Sequence, residues 1–186
     1  MAPRIKITKR EIINTAVEIV RSVGADMLNA RIIASKLDCS TQPIFSNFST
    51  MDELKTAVLE RVISICEEFT AREIESGIYP KYKASGMAYI RFAKDEPELF
   101  KLLYMRDRKG RLETEEASLF DRMEPVVQSI TGLESERARL FHLEMWAYVH
   151  GIATMFATGY LSLDWELVST MLTDFYQGLR KQYETE

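Results

Sequence analysis

Residues 31–54, Arg-Ile-Ile-Ala-Ser-Lys-Leu-Asp-Cys-Ser-Thr-Gln-Pro-Ile-Phe-Ser-Asn-Phe-Ser-Thr-Met-Asp-Glu-Leu, leave the chain few ways to fold. Ile32, Ile33 and Ala34, with Leu37 four residues after Ile33, mark one apolar face of a short helix. Asp38-Cys39-Ser40 then breaks the period. Ser40 is the expected N-cap of a second helix, because its hydroxyl can accept an orphan backbone N–H. Pro43 falls at the third helical position, still within the turn where a missing N–H is tolerated. Ile44, Phe45 and Phe48 are spaced to pack one face back onto the first helix, which leaves Thr41, Gln42, Ser46 and Asn47 facing outwards. Short uncharged polar side chains on an exposed helix suit base edges and phosphates in a major groove. The spacing fits an ordinary αα-corner within an all-α core equally well.

The flanks are helical too. Thr8-Lys9-Arg10-Glu11 has the form of a capping box. Ile12, Ala16, Ile19 and Val23 follow at helical spacing, and Gly24 stops the run. Asn29 can cap the short helix that opens the 31–54 stretch. Thr50-Met51-Asp52-Glu53 repeats the capping signature before a stripe of Leu54, Val58, Val62, Ile65 and Phe69. Gly77 to Pro80 ends that long helix, and the next runs from about Lys81 to Lys94. Asp95-Glu96-Pro97-Glu98 reads as an N-cap followed by a first-turn proline. A charged loop, Arg106 to Arg111, precedes a helix over residues 113–130 with a kink at Pro125. Residues 134–161 form a long apolar helix, and Asp164 caps a last one from Trp165 to about Tyr183. No alternating run is long enough for a strand. The fold class read from these signals is all-α with about nine helices.

The stretch beginning at Ile33-Ala34 resembles the helix-turn-helix of the TetR family of transcriptional regulators. The resemblance rests on Ile33-Ala34, Ser40, Ile44-Phe45, Phe48 and Asp52-Glu53-Leu54, within about 50 residues at the N-terminus. Three positions depart from that family's pattern. Asp38 stands where the turn glycine is usual, and Asp tolerates the left-handed conformation better than most residues. Phe45 replaces a tyrosine whose hydroxyl usually touches a phosphate, and Met51 replaces a lysine that does the same. Trp146, His150 and Gly151 form a Trp-x-x-x-His-Gly pattern similar to a recurring C-terminal subtype of the family.

The resemblance implies a dimeric regulator, usually a repressor, that binds palindromic operator DNA and is released by a small-molecule effector. The DNA-contacting residues it points to are Lys9, Arg10, Arg31, Ser40, Thr41, Gln42, Pro43, Phe45, Ser46 and Asn47. Residues 1–50 are then the DNA-binding domain, and 51–186 the ligand-binding and dimerisation domain. Charge agrees with this division. Residues 1–50 hold seven Lys/Arg against four Asp/Glu, whereas the remainder holds 17 against 24, for a net charge of −4. A basic head on an acidic body suits a protein that touches nucleic acid at one end.

Of the 19 aromatic residues, 17 lie beyond residue 50, eight of them tyrosines. Buried tyrosines need hydrogen-bond partners, so the body is expected to hold a cavity lined by polar-tipped rings. Its expected wall is Tyr89, Phe92, Phe100, Tyr104, Met123, Met145, Trp146, Tyr148 and His150, and its ligand mainly apolar. Ala147, Gly151, Thr154 and Thr158 are small and lie one or two turns apart, as expected where two copies pack helix on helix.

Other functions find little support. His142 and His150 are the only histidines, with no third metal ligand at a usual spacing. There is no Gly-rich phosphate loop and no Gly-x-Ser-x-Gly elbow. No cofactor, metal or catalytic site is therefore expected; a helical partner-binding protein without DNA affinity and a helical-bundle enzyme are the competing readings. Met145 to Leu163 is a 19-residue run without Asp, Glu, Lys or Arg, close to a membrane span in length. Its His, Gly, Thr and Ser content favours a core or interface helix. Cys39 and Cys66 have no motif spacing and read as reduced thiols. The N-terminus lacks the apolar segment of a signal peptide, so the expected location is cytoplasmic, away from any membrane.

Overall fold

Nine stretches of α-helix and one 3-10 turn make up a computed structural model of the chain, described for residues 7–105 and 123–185, and no strand occurs among them. The charged loop at 106–111 and the start of the helix expected over 113–130 lie outside the described residues.

Capping chemistry sets most helix starts where the sequence places them. α1 (Lys9–Val23) opens on a reciprocal box: Thr8 Oγ1 accepts from Glu11 N–H at 3.3 Å, and Glu11 Oε2 accepts from Thr8 N–H at 2.8 Å. It ends at Gly24, whose φ of +84° few other residues adopt. Val23, expected in the apolar stripe, is the last residue of the helix and is 57% exposed. After a 3-10 turn (Ala25–Met27), Asn29 Oδ1 accepts from Arg31 and Ile32 N–H, both at 3.1 Å, and starts α2 (Ala30–Lys36).

The turn out of α2 is a Schellman closure. Cys39 N–H donates to Ala34 C=O at 3.0 Å and Asp38 N–H to Ser35 C=O at 3.3 Å. The residue between helix and turn must then be left-handed, and Asp38 carries a φ of +50°. It is the one non-glycine residue with positive φ among those described. α3 (Gln42–Asn47) follows, capped by Thr41 and not by Ser40, and the Thr41 side chain makes no capping hydrogen bond. Pro43 accordingly occupies the second helical position, one earlier than expected.

α4 (Met51–Glu75) begins where Glu53 N–H donates to Thr50 Oγ1 at 3.1 Å. The Glu53 carboxylate reaches past the cap to Ser49 N–H at 2.7 Å. α5 (Lys81–Asp95) runs one residue beyond expectation and takes Asp95 into its last turn. Glu96 rather than Asp95 thus precedes α6 (Pro97–Tyr104), and its carboxylate is spent on Arg21 Nε at 2.7 Å. The helical stretch α7 covers residues 123–131. α8 (Ser135–Ala157) ends four residues earlier than expected. A second Schellman closure stops it: Gly159 (φ +68°) donates to Phe156 C=O, and Tyr160 N–H to Met155 C=O, both at 3.0 Å. Asp164 Oδ1 accepts from Glu166 N–H at 2.8 Å and starts α9 (Trp165–Thr185).

The described residues form two compact units, with α4 continuing from one into the other at Glu68–Phe69. The first contains residues 7–68 and α6. Its core is the inner faces of α1 to α4, including Ile12, Ile33, Ile44, Phe48 and Leu54, all at most 1% exposed. α6 joins it through the Arg21–Glu96 ion pair and through Glu98, whose Oε2 lies 3.1 Å from where a Cβ on Gly24 would stand.

The second unit contains residues 69–95 and those from 123 onwards. α5 and α8 run side by side in the same direction, with Tyr82 opposite His142 and Tyr89 opposite His150. α9 runs the other way, bringing Tyr176 to Tyr82 and Trp165 to Arg91. A Cβ on Gly86 would come 3.3 Å from Leu172 and 3.5 Å from Val149, so α5 approaches both neighbours through its glycine.

Candidate functional site

α3 presents two kinds of surface. Ile44 and Phe48 are buried, while Gln42, Phe45 and Ser46 are exposed. Phe45, expected to pack inwards beside Ile44, is instead 49% exposed. A six-residue helix has one core-facing stripe, and positions four apart share it while neighbours do not. Ile44 and Phe48 therefore fill the stripe and turn Phe45 outwards.

Polar neighbours are partly committed to the helix itself. Ser46 Oγ donates to Gln42 C=O at 2.9 Å. Asn47 is half-buried and its Nδ2 donates to Pro43 C=O at 2.8 Å and Ile7 C=O at 3.4 Å. Thr41 and Pro43 are half-buried, while Ser40 and Arg31 are exposed. No residue of α3 is charged. Lys9 Nζ lies 3.5 Å from Glu53 Oε1 and 4.7 Å above the Phe48 ring, so it fastens α1 to the start of α4. Beside it Arg10 is exposed and shares an open groove with Lys9, Asn14 and Arg61.

Seven of the nine expected ligand-wall residues belong to the second unit and two to the first. Tyr89, Trp146 and His150 come together: Tyr89 Oη and His150 Nδ1 are 2.9 Å apart, and Trp146 stacks on the imidazole with centroids 4.9 Å apart. Phe92 and Met145 lie in the core, Phe92 edge-on to Phe69 and Met145 in the cluster around Phe141. Tyr148 stacks on Phe175 at 4.1 Å, on the rim of an open groove with Met171, Asp174 and Gly178. Met123 is half-buried at the start of α7. Phe100 and Tyr104 belong to the first unit, where Phe100 is fully buried and Tyr104 Oη lies 3.5 Å from Cys66 Sγ. Burial pushes the Cys66 thiol above its ordinary value, so it stays protonated at neutral pH.

A second tyrosine–histidine pair, Tyr82 Oη to His142 Nδ1 at 2.9 Å, has a consequence for pH. Burial holds the His142 pKa below its ordinary 6.5. Such a histidine binds its proton more readily in the unfolded chain, so the unfolded state carries more protons in the window just below that value. Stability then falls as pH drops below about 6.5. The urea midpoint should decline on acidification through that window, and less steeply in His142→Gln. Equal slopes for the two proteins would assign the decline to other groups.

One outward stripe of α8 carries Leu140, Leu143, Ala147 and Gly151, all exposed. A Cβ on Gly151 would meet nothing within 4 Å, and the same holds for Gly178 on α9. Thr158 is exposed as the C-cap, while Thr154 is half-buried with a hydroxyl that has no hydrogen-bond partner among the described residues. Glu144, on the same helix, accepts from Tyr183 Oη at 2.8 Å.

One charged site escaped the sequence reading. Glu73 is 8% exposed, with Arg91 Nε 3.4 Å away and the Arg91 guanidinium 4.6 Å above Trp165. The signal was present, for Glu73 sits one turn beyond Phe69 on the apolar stripe of α4. Among the described residues no group of three His, Cys, Asp or Glu could hold a metal ion, and no helix is long and apolar enough to cross a membrane.

Comparison with known proteins adds to this geometry. Residues 82–175 match the family model of the tetracyclin repressor-like C-terminal domain. A TetR-like transcriptional regulator from Rhodococcus sp. RHA1 superposes with a TM-score of 0.68 at 16% identity, over 100% of this chain and 99% of that one. A protein with unknown function from the same organism gives 0.76 at 23% identity, over 97% of this chain and 100% of that one. No curated protein matches the sequence.

Proposed function

The chain belongs to the TetR family of transcriptional regulators, and on that premise we propose that it is a homodimeric repressor released from operator DNA by a small molecule. In this reading residues 1–50 are the DNA-binding domain, and 51–186 bind the effector and the second protomer. Both partners, the operator and the effector, are met in the cytoplasm, and the chain catalyses no reaction.

The observation that carries the reading is the outward face of α3. It is an exposed, uncharged surface of Gln42, Phe45 and Ser46, held by a core of Ile44 and Phe48 and preceded by a fixed turn at Asp38. A dimer sets two such helices against successive major grooves, about 34–36 Å apart. An effector that prefers a different spacing lowers operator affinity by its differential affinity for the two states. The cluster of Tyr89, Trp146 and His150 supports an aromatic or mainly apolar effector. It offers flat rings with a polar tip, the Tyr89 hydroxyl against His150 Nδ1.

The test is selection of duplex DNA from the chain's own promoter region. Gln42→Ala should relax preference at one or two base pairs, at about 1–3 kcal/mol each. Arg10→Ala should weaken binding to all sequences alike and flatten the salt slope by about one. Arg10 is the better choice here, since Lys9 also holds Glu53 and Phe48. A wild-type protein that shows no preference for its own promoter over random duplex would leave a ligand-binding protein without DNA affinity. The absence of the family's tyrosine hydroxyl and lysine ammonium, at Phe45 and Met51, favours that second reading.

A further inference from the structure

We propose that Phe45 reads sequence by packing its ring on the 5-methyl group of a thymine, so that each operator half-site carries a fixed A·T pair beneath α3. This rests on the DNA-binding reading above and gives that site a chemical specificity.

Three observations carry it. Phe45 is 49% exposed and stands on the flank of α3 beside the stripe of the buried Ile44 and Phe48. The donors of its polar neighbours are turned inwards, Ser46 Oγ to Gln42 C=O and Asn47 Nδ2 to Pro43 and Ile7 C=O. The exposed surface of α3 is thus mainly a phenyl ring and, one turn before it, the Gln42 amide, which bonds to no other described residue. In a duplex those two groups have different destinations. A phosphate is the most hydrated part of DNA and repels the negative face of an aromatic ring. The thymine 5-methyl is the apolar feature of the major groove, where apolar side chains discriminate by contact. A phenyl without a hydroxyl therefore belongs over the base edge. The Gln42 amide, three residues earlier, suits the N6 and N7 of a neighbouring adenine.

The experiment removes the methyl group and leaves base pairing intact. With the full-length protein and a duplex it has selected, each thymine is replaced in turn by uracil and affinity is measured at fixed salt. Wild type should lose about fourfold at one position per half-site, the worth of one buried methyl-sized group. Phe45→Ala should lose that sensitivity and keep the rest of the wild-type profile; with the side chain already half in solvent, folding is not at stake. Uracil tolerated at every position, or a Phe45→Ala profile identical to wild type, would overturn the proposal. So would a Phe45→Tyr variant that binds every duplex more tightly and equally, because the ring would then lie along the backbone. A wild-type protein that selects no duplex at all sinks the regulator reading and this proposal together. Uracil tolerance with intact selection sinks this proposal alone.

Discussion

Gly151→Leu should yield a folded monomer where the wild type, on the reading proposed above, is expected to sediment as a dimer. Within the protomer the change is harmless: a Cβ at this position meets nothing within 4 Å, and Gly151 lies inside α8 with open space before it. Leucine is also the better helix former, by up to about 1 kcal/mol, so the protomer should hold or gain stability. The damage falls on whatever packs against the stripe of Leu140, Leu143, Ala147 and Gly151. Helices that meet through small residues come as close as about 8 Å, and an isobutyl group at the crossing forces them apart. Overpacking costs about 1–3 kcal/mol at one site, and a two-fold interface meets it twice. The dimer dissociation constant should therefore rise by a factor of about 30 or more. Sedimentation over a range of concentrations, with circular dichroism to confirm helix content, measures both effects. Gly86→Leu is the contrasting control. Its Cβ would stand 3.3 Å from Leu172, so it should destabilise the protomer itself. An unchanged Gly151→Leu dimer would move the interface to another face.

What could be read in the sequence, and what could not, divides by range. Features whose cause lies within four residues were legible. The box of Thr8 and Glu11, the caps at Asn29 and Asp164, and the left-handed Asp38 all follow from local hydrogen-bond chemistry. Local competition produced the near misses. Ser40 and Thr41 are both good caps, and neither sequence position nor propensity says that the helix starts one residue later. Ile44, Phe45 and Phe48 are all apolar, and only the geometry of a short helix decides that one must face water. Gly159 ended α8 because a Schellman closure needs one left-handed residue, a competing signal inside an otherwise apolar run. The pairings of Tyr82 with His142 and Tyr89 with His150 span 60 and 61 residues, and no periodicity encodes them. For the same reason the meeting of Tyr89 with His150 and Trp146 was not legible: helical spacing assigns faces, not which faces meet. Of the small residues expected on one face of α8, Ala147, Gly151 and Thr158 are exposed and Thr154 is half-buried, a distinction that spacing along one helix does not make.

Removing Arg91 should destabilise the second unit strongly, and removing its partner at the same time should restore most of the loss. Glu73 is the one buried charged residue among those described, at 8% exposure, and its Oε1 has no hydrogen-bond partner among them. Arg91 lies 3.4 Å from Glu73 Oε2 with no hydrogen bond closed between them, so the attraction is mainly that of charge at short range. The guanidinium is held there by the face of Trp165, 4.6 Å away. A carboxylate taken out of water needs such compensation, and without it the cost of the buried charge falls on the fold. Breaking a buried pair by deleting one member costs about 3–5 kcal/mol. The Arg91 side chain is 39% exposed, and water shares in solvating the pair, so Arg91→Ala should cost about 2–3 kcal/mol. Glu73→Leu together with Arg91→Leu removes both charges and fills the space with apolar groups, an exchange that is often neutral or favourable. Urea denaturation of Arg91→Ala and of the double variant compares the unpaired carboxylate with no carboxylate at all. The double variant should be more stable than Arg91→Ala by at least about 1 kcal/mol, since the unpaired carboxylate is then gone. If Arg91→Ala shifts stability by less than about 0.5 kcal/mol, within the range of an ordinary surface substitution, Glu73 is solvated by other means and the pair does not hold the unit together.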